Sequence, residues 1–156
     1  MQNKKVIDGI LYVKDIYECY VPAAGIKERV CIKAPVDALP ILRNIRYREQ
    51  EVFIVVYLDG AHQVTGHDVV TIGLLNQSQI HPREVFRQAV INNCGAILVA
   101  HNHPSGNKQP SPADLDATKK LVQAGEILGI PVLDHIIVTR NAFTSIRDTN
   151  SACFIV

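Results

Sequence analysis

Ala96-Ile97-Leu98-Val99-Ala100-His101-Asn102-His103-Pro104-Ser105-Gly106-Asn107-Lys108-Gln109-Pro110-Ser111-Pro112-Ala113-Asp114 reads as three elements in succession. Ala96 to Ala100 is an unbroken apolar run, the pattern of a strand covered on both faces. It runs straight into His101. Residues 102–110 carry Pro104, Gly106 and Pro110 and form a loop. Ser111 then suits the N-cap of a helix, with Pro112 as its first residue. That helix continues to Leu128 and is stopped by Gly129.

The same alternation extends outward. Val52 to Leu58 is a second buried strand, closed by Asp59-Gly60, and Gln63 to Ile72 is its hairpin partner. Pro82 opens a helix with Val85, Phe86, Ala89 and Val90 at helical spacing, closed by Gly95. Beyond Pro131, Val132 to Val138 is a third buried strand, and Phe143 to Ile146 adds a short edge strand. Helices alternating with buried strands define an α/β layered domain. Upstream, Val36, Leu39, Leu42 and Ile45 are spaced by three after Pro35, and Pro40 splits or kinks that helix. Arg43, Arg46 and Arg48 read as its solvated face. Ile10 to Val13 and Arg29 to Lys33 are candidate strands. Residues 46–150 are taken as the domain proper, and residues 1–45 as an extension that packs on the core, covers a cleft or binds a partner.

The chain has 156 residues, enough to bury a full core without staples. Hydrophobic residues make up 47% and charged residues 20%, with a net charge of +1, which offers no electrostatic case for a nucleic-acid or membrane partner. Cys19, Cys31, Cys94 and Cys153 have no C-x-x-C spacing and read as reduced thiols. No apolar run of signal-peptide or membrane-span type is present in the sequence, so a cytoplasmic location is expected.

His101 and His103 stand at i and i+2 at a strand end, so both imidazoles face the same side. Asp114 falls in the first turn of the following helix, and the Pro/Gly-rich loop can fold that turn back over the strand end. Two His and one carboxylate give three ligands and leave a fourth position for water, the pattern of a catalytic zinc site. Other divalent metals suit the same donors. An H-x-H pair alone is weak, and Ser111 to Asp114 also makes sense purely as a helix start with an acid at the positive end of the dipole. The two readings are compatible, because a cap that holds Asp114 is good scaffolding for a ligand.

H-x-H-P, seven residues to a serine, then S-x-x-D resembles the JAMM (MPN+/JAB) metalloprotease motif. HNHPSG followed by PS-x-x-D, with HPREVFRQA before it and LGIPVLDHIIV after it, resembles more narrowly the RadC-like branch, over about residues 48–147. The resemblance implies a mixed sheet sandwiched by helices in three layers, similar to the cytidine-deaminase fold. It implies zinc on His101, His103 and Asp114, with Glu51, fifty residues before His101, as general base and Ser111 as oxyanion donor. Glu84 is the rival acid, placed in a first helical turn where the dipole alone favours it. The reaction implied is metal-assisted hydrolysis of a peptide or isopeptide bond in a peptide or protein substrate. Two departures qualify it. JAMM deubiquitinases carry Ser or Thr where this chain has Asn102, a feature shared with RadC-type sequences. RadC-type proteins also carry a helix-hairpin-helix region, which residues 1–45 do not resemble, so nucleic acid enters as a partner through the family alone.

Asp134-His135 is a polar pair inside an apolar strand; it reads as a satisfied buried histidine, with a place behind the metal as the sharper alternative. His62, His67 and His81 receive no role. The competing function is a non-enzymatic zinc-binding module associated with DNA repair or mobile elements, against which intact Glu51 and Ser111 argue. A zinc deaminase requires H-x-E and P-C-x-x-C, and neither is present. A thiol protease built on Cys94 has no supporting motif.

Overall fold

The computed structural model describes residues 30–73 and 80–155. Five strands form one mixed sheet in the order β2-β1-β3-β4-β5. They are β1 (Val52–Leu58), β2 (Val64–Ile72), β3 (Ala96–Asn102), β4 (Val132–Val138) and β5 (Phe143–Ser145). The helices are α1 (Leu39–Leu42), α2 (Pro82–Ile91), α3 (Pro112–Leu128) and α4 (Ile146–Thr149). β1 pairs antiparallel with β2 and with β3, β3 pairs parallel with β4, and β4 pairs antiparallel with β5. The parallel pair requires a crossover, and α3 supplies it.

β1 and β3 are buried along their whole length, which explains why they read as continuous apolar runs. Phe53, Val55, Tyr57, Ile97 and Val99 face α2 and α3, where Val85, Phe86, Ala89, Ala117, Leu121 and Val122 close one core. On the other face, Ile54, Val56, Leu58, Leu98, Ala100, Ile136 and Val138 pack with Ala38, Ile41, Leu42 and Ile45. Helical segments therefore cover both faces of the sheet. Of the roles open to the N-terminal stretch, packing on the core is what the segment Ile32–Ile45 does.

The helix expected after Pro35 is three short turns, with 3-10 pieces over Pro35–Ala38 and Ile45–Tyr47 flanking α1. Pro40 lies in the first turn of α1 and has no N–H to continue an earlier helix. Breaking the chain there buries Ala38, Ile41, Leu42 and Ile45 while Val36 stays exposed. α2 ends at Ile91, capped by Asn92, short of Gly95. Gly95 instead donates its N–H to the Leu58 carbonyl and starts the turn into β3. α3 starts and stops as read, with Gly129 in the left-handed region at φ 67°. The edge strand β5 stops at Ser145, which caps α4, so Ile146 is helical. Arg46 is not simply solvated. Its guanidinium donates to the Thr139 and Arg140 carbonyls and ties the N-terminal turns to the β4–β5 connection. The strand expected over Ile10 to Val13 lies outside the described residues; Cys31 forms a single bridge to Gln63.

One irregularity bears on the site. Ile97 pairs with Val132 but Val99 pairs with His135, so β4 carries one extra residue at Leu133–Asp134. This bulge reverses the inside–outside alternation and turns His135 to the same face as Val99 and His101. Asp134 holds the bulge, its Oδ1 accepting the N–H of His135 (2.7 Å) and of Arg147 (3.1 Å).

Candidate metal centre

The β3–α3 connection lies at the carboxyl end of a strand in the parallel pair, the general place for ligand sites in such sheets. His101 is on β3, fully buried, and its ring stacks on Phe53 of the neighbouring strand at 6.1 Å between centroids. His103 follows just past the strand end. Its N–H bonds the Val138 carbonyl (2.9 Å), and its Nδ1–H donates to the Asn107 carbonyl (2.6 Å). That bond leaves Nε2 of a neutral ring as a lone pair directed into the site. Asp114 is buried in the first turn of α3. Its Oδ2 accepts the Ser111 N–H and O–H, both at 2.7 Å, and Ser111 Oγ in turn accepts the Asp114 N–H (3.2 Å). This reciprocal cap leaves Oδ1 free to face the histidines.

The three ligand groups converge. His101 Nε2 lies 2.9 Å from His103 Nε2 and 3.3 Å from Asp114 Oδ1, and ligand atoms of all three lie within 4.8 Å of one another. An ion held tetrahedrally at 2.0–2.1 Å would set its donors about 3.3 Å apart. Two imidazole nitrogens 2.9 Å apart cannot both point bare lone pairs at one another, so either a proton on one ring or an ion lies between them. The donor set of two imidazoles and a carboxylate fits a metal ion.

The electrostatics agree. Burial favours the neutral form of Asp114, but the adjacent imidazoles of His101 and His103 overcome it and hold the carboxyl far below the usual range. The hydrogen bond to Asp114 raises the pKa of His103 against its own burial, and the charge of Glu51 adds to the rise. Glu51, half-buried, immediately precedes β1. Phe53 pairs with His101, so the antiparallel register continued by two residues sets Glu51 opposite His103 on the same face. The structure thus brings His101, His103, Asp114, Ser111 and Glu51 to one strand end. Glu84 instead pairs with Arg83 (3.3 Å) and lines a separate cleft with Tyr57 and Asp68.

Asn102, on the opposite face of β3, has a role that its position between two ligands hides. Its Oδ1 accepts the Val52 N–H (2.7 Å), and its Nδ2 donates to the Arg48 (3.2 Å) and Gln50 (3.1 Å) carbonyls. One buried amide therefore holds the backbone on both sides of Glu51. In the sequence Asn102 stands out only as a departure from the Ser/Thr pattern, and no local signal marks this clamp. Cys94 is no rival centre, because burial pushes its thiol above the ordinary value and disfavours the thiolate. Cys31, Cys94 and Cys153 are free thiols. Among the described residues no helix is long and apolar enough to cross a membrane.

A five-stranded mixed sheet with a His-x-His pair at a strand end and an aspartate on the next helix defines a JAB/MPN-type domain with a group able to bind a metal. A family model described as RadC-like JAB domain matches residues 32–151, and the chain belongs to that family. Among curated relatives, it is 46% identical over 123 residues to a UPF0758 protein of Methanospirillum hungatei, covering 78% of this chain and 55% of the relative. It is 45% identical over 129 residues to one of Moorella thermoacetica, covering 82% and 56%. It is 43% identical over 122 residues to one of Thermosynechococcus vestitus, covering 78% and 49%. The chain spans about half the length of these relatives.

Proposed function

We propose that this domain is a zinc-dependent hydrolase of amide bonds, a metallopeptidase or isopeptidase acting on a peptide or protein substrate. The observation that carries the reading is the convergence of His101 Nε2, His103 Nε2 and Asp114 Oδ1 with a carboxylate, Glu51, set across from His103. When bound there, zinc lowers the pKa of a coordinated water to about 7 and polarises a substrate carbonyl. Glu51 is the general base. It stands at the rim of the site, where its carboxylate would hold the proton given up by the attacking water and hand it to the leaving amine. Asp114 and the two imidazoles would hold the ion. Ser111 anchors Asp114 with two hydrogen bonds, and its expected part as oxyanion donor requires its O–H to swing from Asp114 Oδ2 to the substrate oxygen. Such a donor is worth about 2.7–4 kcal/mol in the transition state. His103 and Asp114 keep a small exposed edge while His101 is sealed, so substrate would meet the site at those two residues.

Elemental mass spectrometry on untagged protein tests the reading. About one zinc per chain is expected, and His103→Ala and Asp114→Ala should both lose it. Glu51→Gln should keep the metal and lose hydrolysis in a screen of peptide and isopeptide substrates. A wild type that stays metal-free after zinc is added sinks the hydrolase reading.

A further inference from the structure

His135 sits beneath the candidate centre, fully buried, with Nε2 2.8 Å from His101 Nδ1 and Nδ1 2.7 Å from Thr118 Oγ1 on α3. Thr118 is equally buried, and its Oγ1 lies 2.6 Å from the Asp114 carbonyl. The heavy atoms dictate where the protons go. A carbonyl only accepts, so the single Thr118 hydroxyl proton goes to Asp114 O. Thr118 Oγ1 must then accept, and the donor is His135 Nδ1–H. A neutral ring with its proton on Nδ1 has a lone pair on Nε2, which accepts His101 Nδ1–H. His101 is left with its own Nε2 lone pair, and this is the atom that faces His103 and Asp114.

We infer that Thr118 and His135 form a one-way hydrogen-bond relay that fixes the tautomer and ring orientation of His101, making both of them positioning residues for the metal centre. The relay starts at the backbone of Asp114, itself a ligand, so α3 sets one ligand directly and a second through β4. The bulge at Leu133–Asp134 is what makes it possible. Without the extra residue, Asp134 rather than His135 would lie beside Val99. His135 and Phe53 pack edge-to-face, 5.5 Å between centroids, and the same Phe53 ring stacks on His101. The inference rests on the metal-binding reading of His101.

Two measurements on the whole chain test it. Long-range proton–nitrogen correlation spectra of the metal-free protein read which ring nitrogens carry protons. His135 is expected with its proton on Nδ1 and a bare Nε2, and His101 with a proton on Nδ1. Zinc titration by competition with a chelator then compares wild type, Thr118→Val and Thr118→Ser. Partners behind a metal ligand typically contribute 10–100-fold in affinity, so Thr118→Val should bind zinc about 10–100-fold more weakly, and Thr118→Ser should recover most of the loss. A His135 proton on Nε2, or equal affinities for wild type and Thr118→Val, overturns the relay while leaving the metal centre standing. A wild type that binds no zinc overturns the metal reading, and the positioning role falls with it whatever the tautomers.

Discussion

Asn102 and Asp114 each do at the residue scale what their neighbours in sequence do not announce. Removing the Asn102 amide leaves the Val52 N–H without this partner at a buried strand start and takes a donor from the carbonyls of half-buried Arg48 and exposed Gln50. Each buried polar group stranded in this way costs about 1–3 kcal/mol. Asn102→Ala should therefore destabilise the protein by about 1–3 kcal/mol in urea melts, and Glu51, held between the released segments, should lose its fixed place opposite His103. Asp114 makes the pH dependence. Its folded pKa is depressed, so its contribution to stability is present above about pH 4 and is lost as the pH falls through the folded value. In melts of metal-free protein from pH 7 down to pH 3, stability should drop below about pH 4, and Asp114→Asn should flatten that part of the curve. His103 runs in the opposite sense. Its raised pKa means that it holds a proton more firmly than a free histidine, and the proton must leave before an ion binds. Zinc affinity should therefore weaken with acidification, beginning above the ordinary histidine value of about 6.5.

At the scale of elements, α3 carries the most. Its cap holds Asp114, its second turn supplies Thr118, and its last turns pack on α2 and β4. Gly125 lies at the tightest point, where an added Cβ would meet the Ile130 carbonyl oxygen at 2.5 Å and Phe86 Cζ at 3.2 Å. Alanine is the better helix former by about 0.8–1.0 kcal/mol. The clash is with backbone that the Ile130–Gly125 hydrogen bond fixes, and overpacking of this kind costs about 1–3 kcal/mol. Gly125→Ala should thus lower the denaturation midpoint; an unchanged or higher midpoint would show that the α3–β4 connection yields. The three N-terminal turns make the complementary point. Their apolar spacing of three was legible, but Pro40 made a single helix impossible, and only the shape of the sheet's second face decided which of those side chains are inside.

For the molecule as a whole, the candidate centre joins β3, the loop after it and α3, and through Glu51 it reaches β1. An ion bound to the folded state alone stabilises it by about 2.7 kcal/mol at a hundredfold excess over Kd. Thermal melts with and without zinc should differ accordingly, and the difference should vanish in His103→Ala. The buried strands, the layered α/β class and the candidate cluster His101, His103 and Asp114 could be read from the chain because each has a local cause: continuous apolar runs for strands covered on both faces, period-two alternation for the paired histidines, and Ser111-Pro112 for the helix start. Glu51 was reached through resemblance, since an acid at the start of a strand has no local signature of its own. The Asn102 clamp, the Arg46 tie and the Thr118–His135 relay depend on contacts between residues 17 to 94 positions apart, and the relay also needs a bulge that reverses the side-chain alternation of β4. Periodicity reports which residues are buried, and it identified His135 as such. Which neighbour a buried polar group meets is set by strand register and helix placement, which arise only when distant segments pack together.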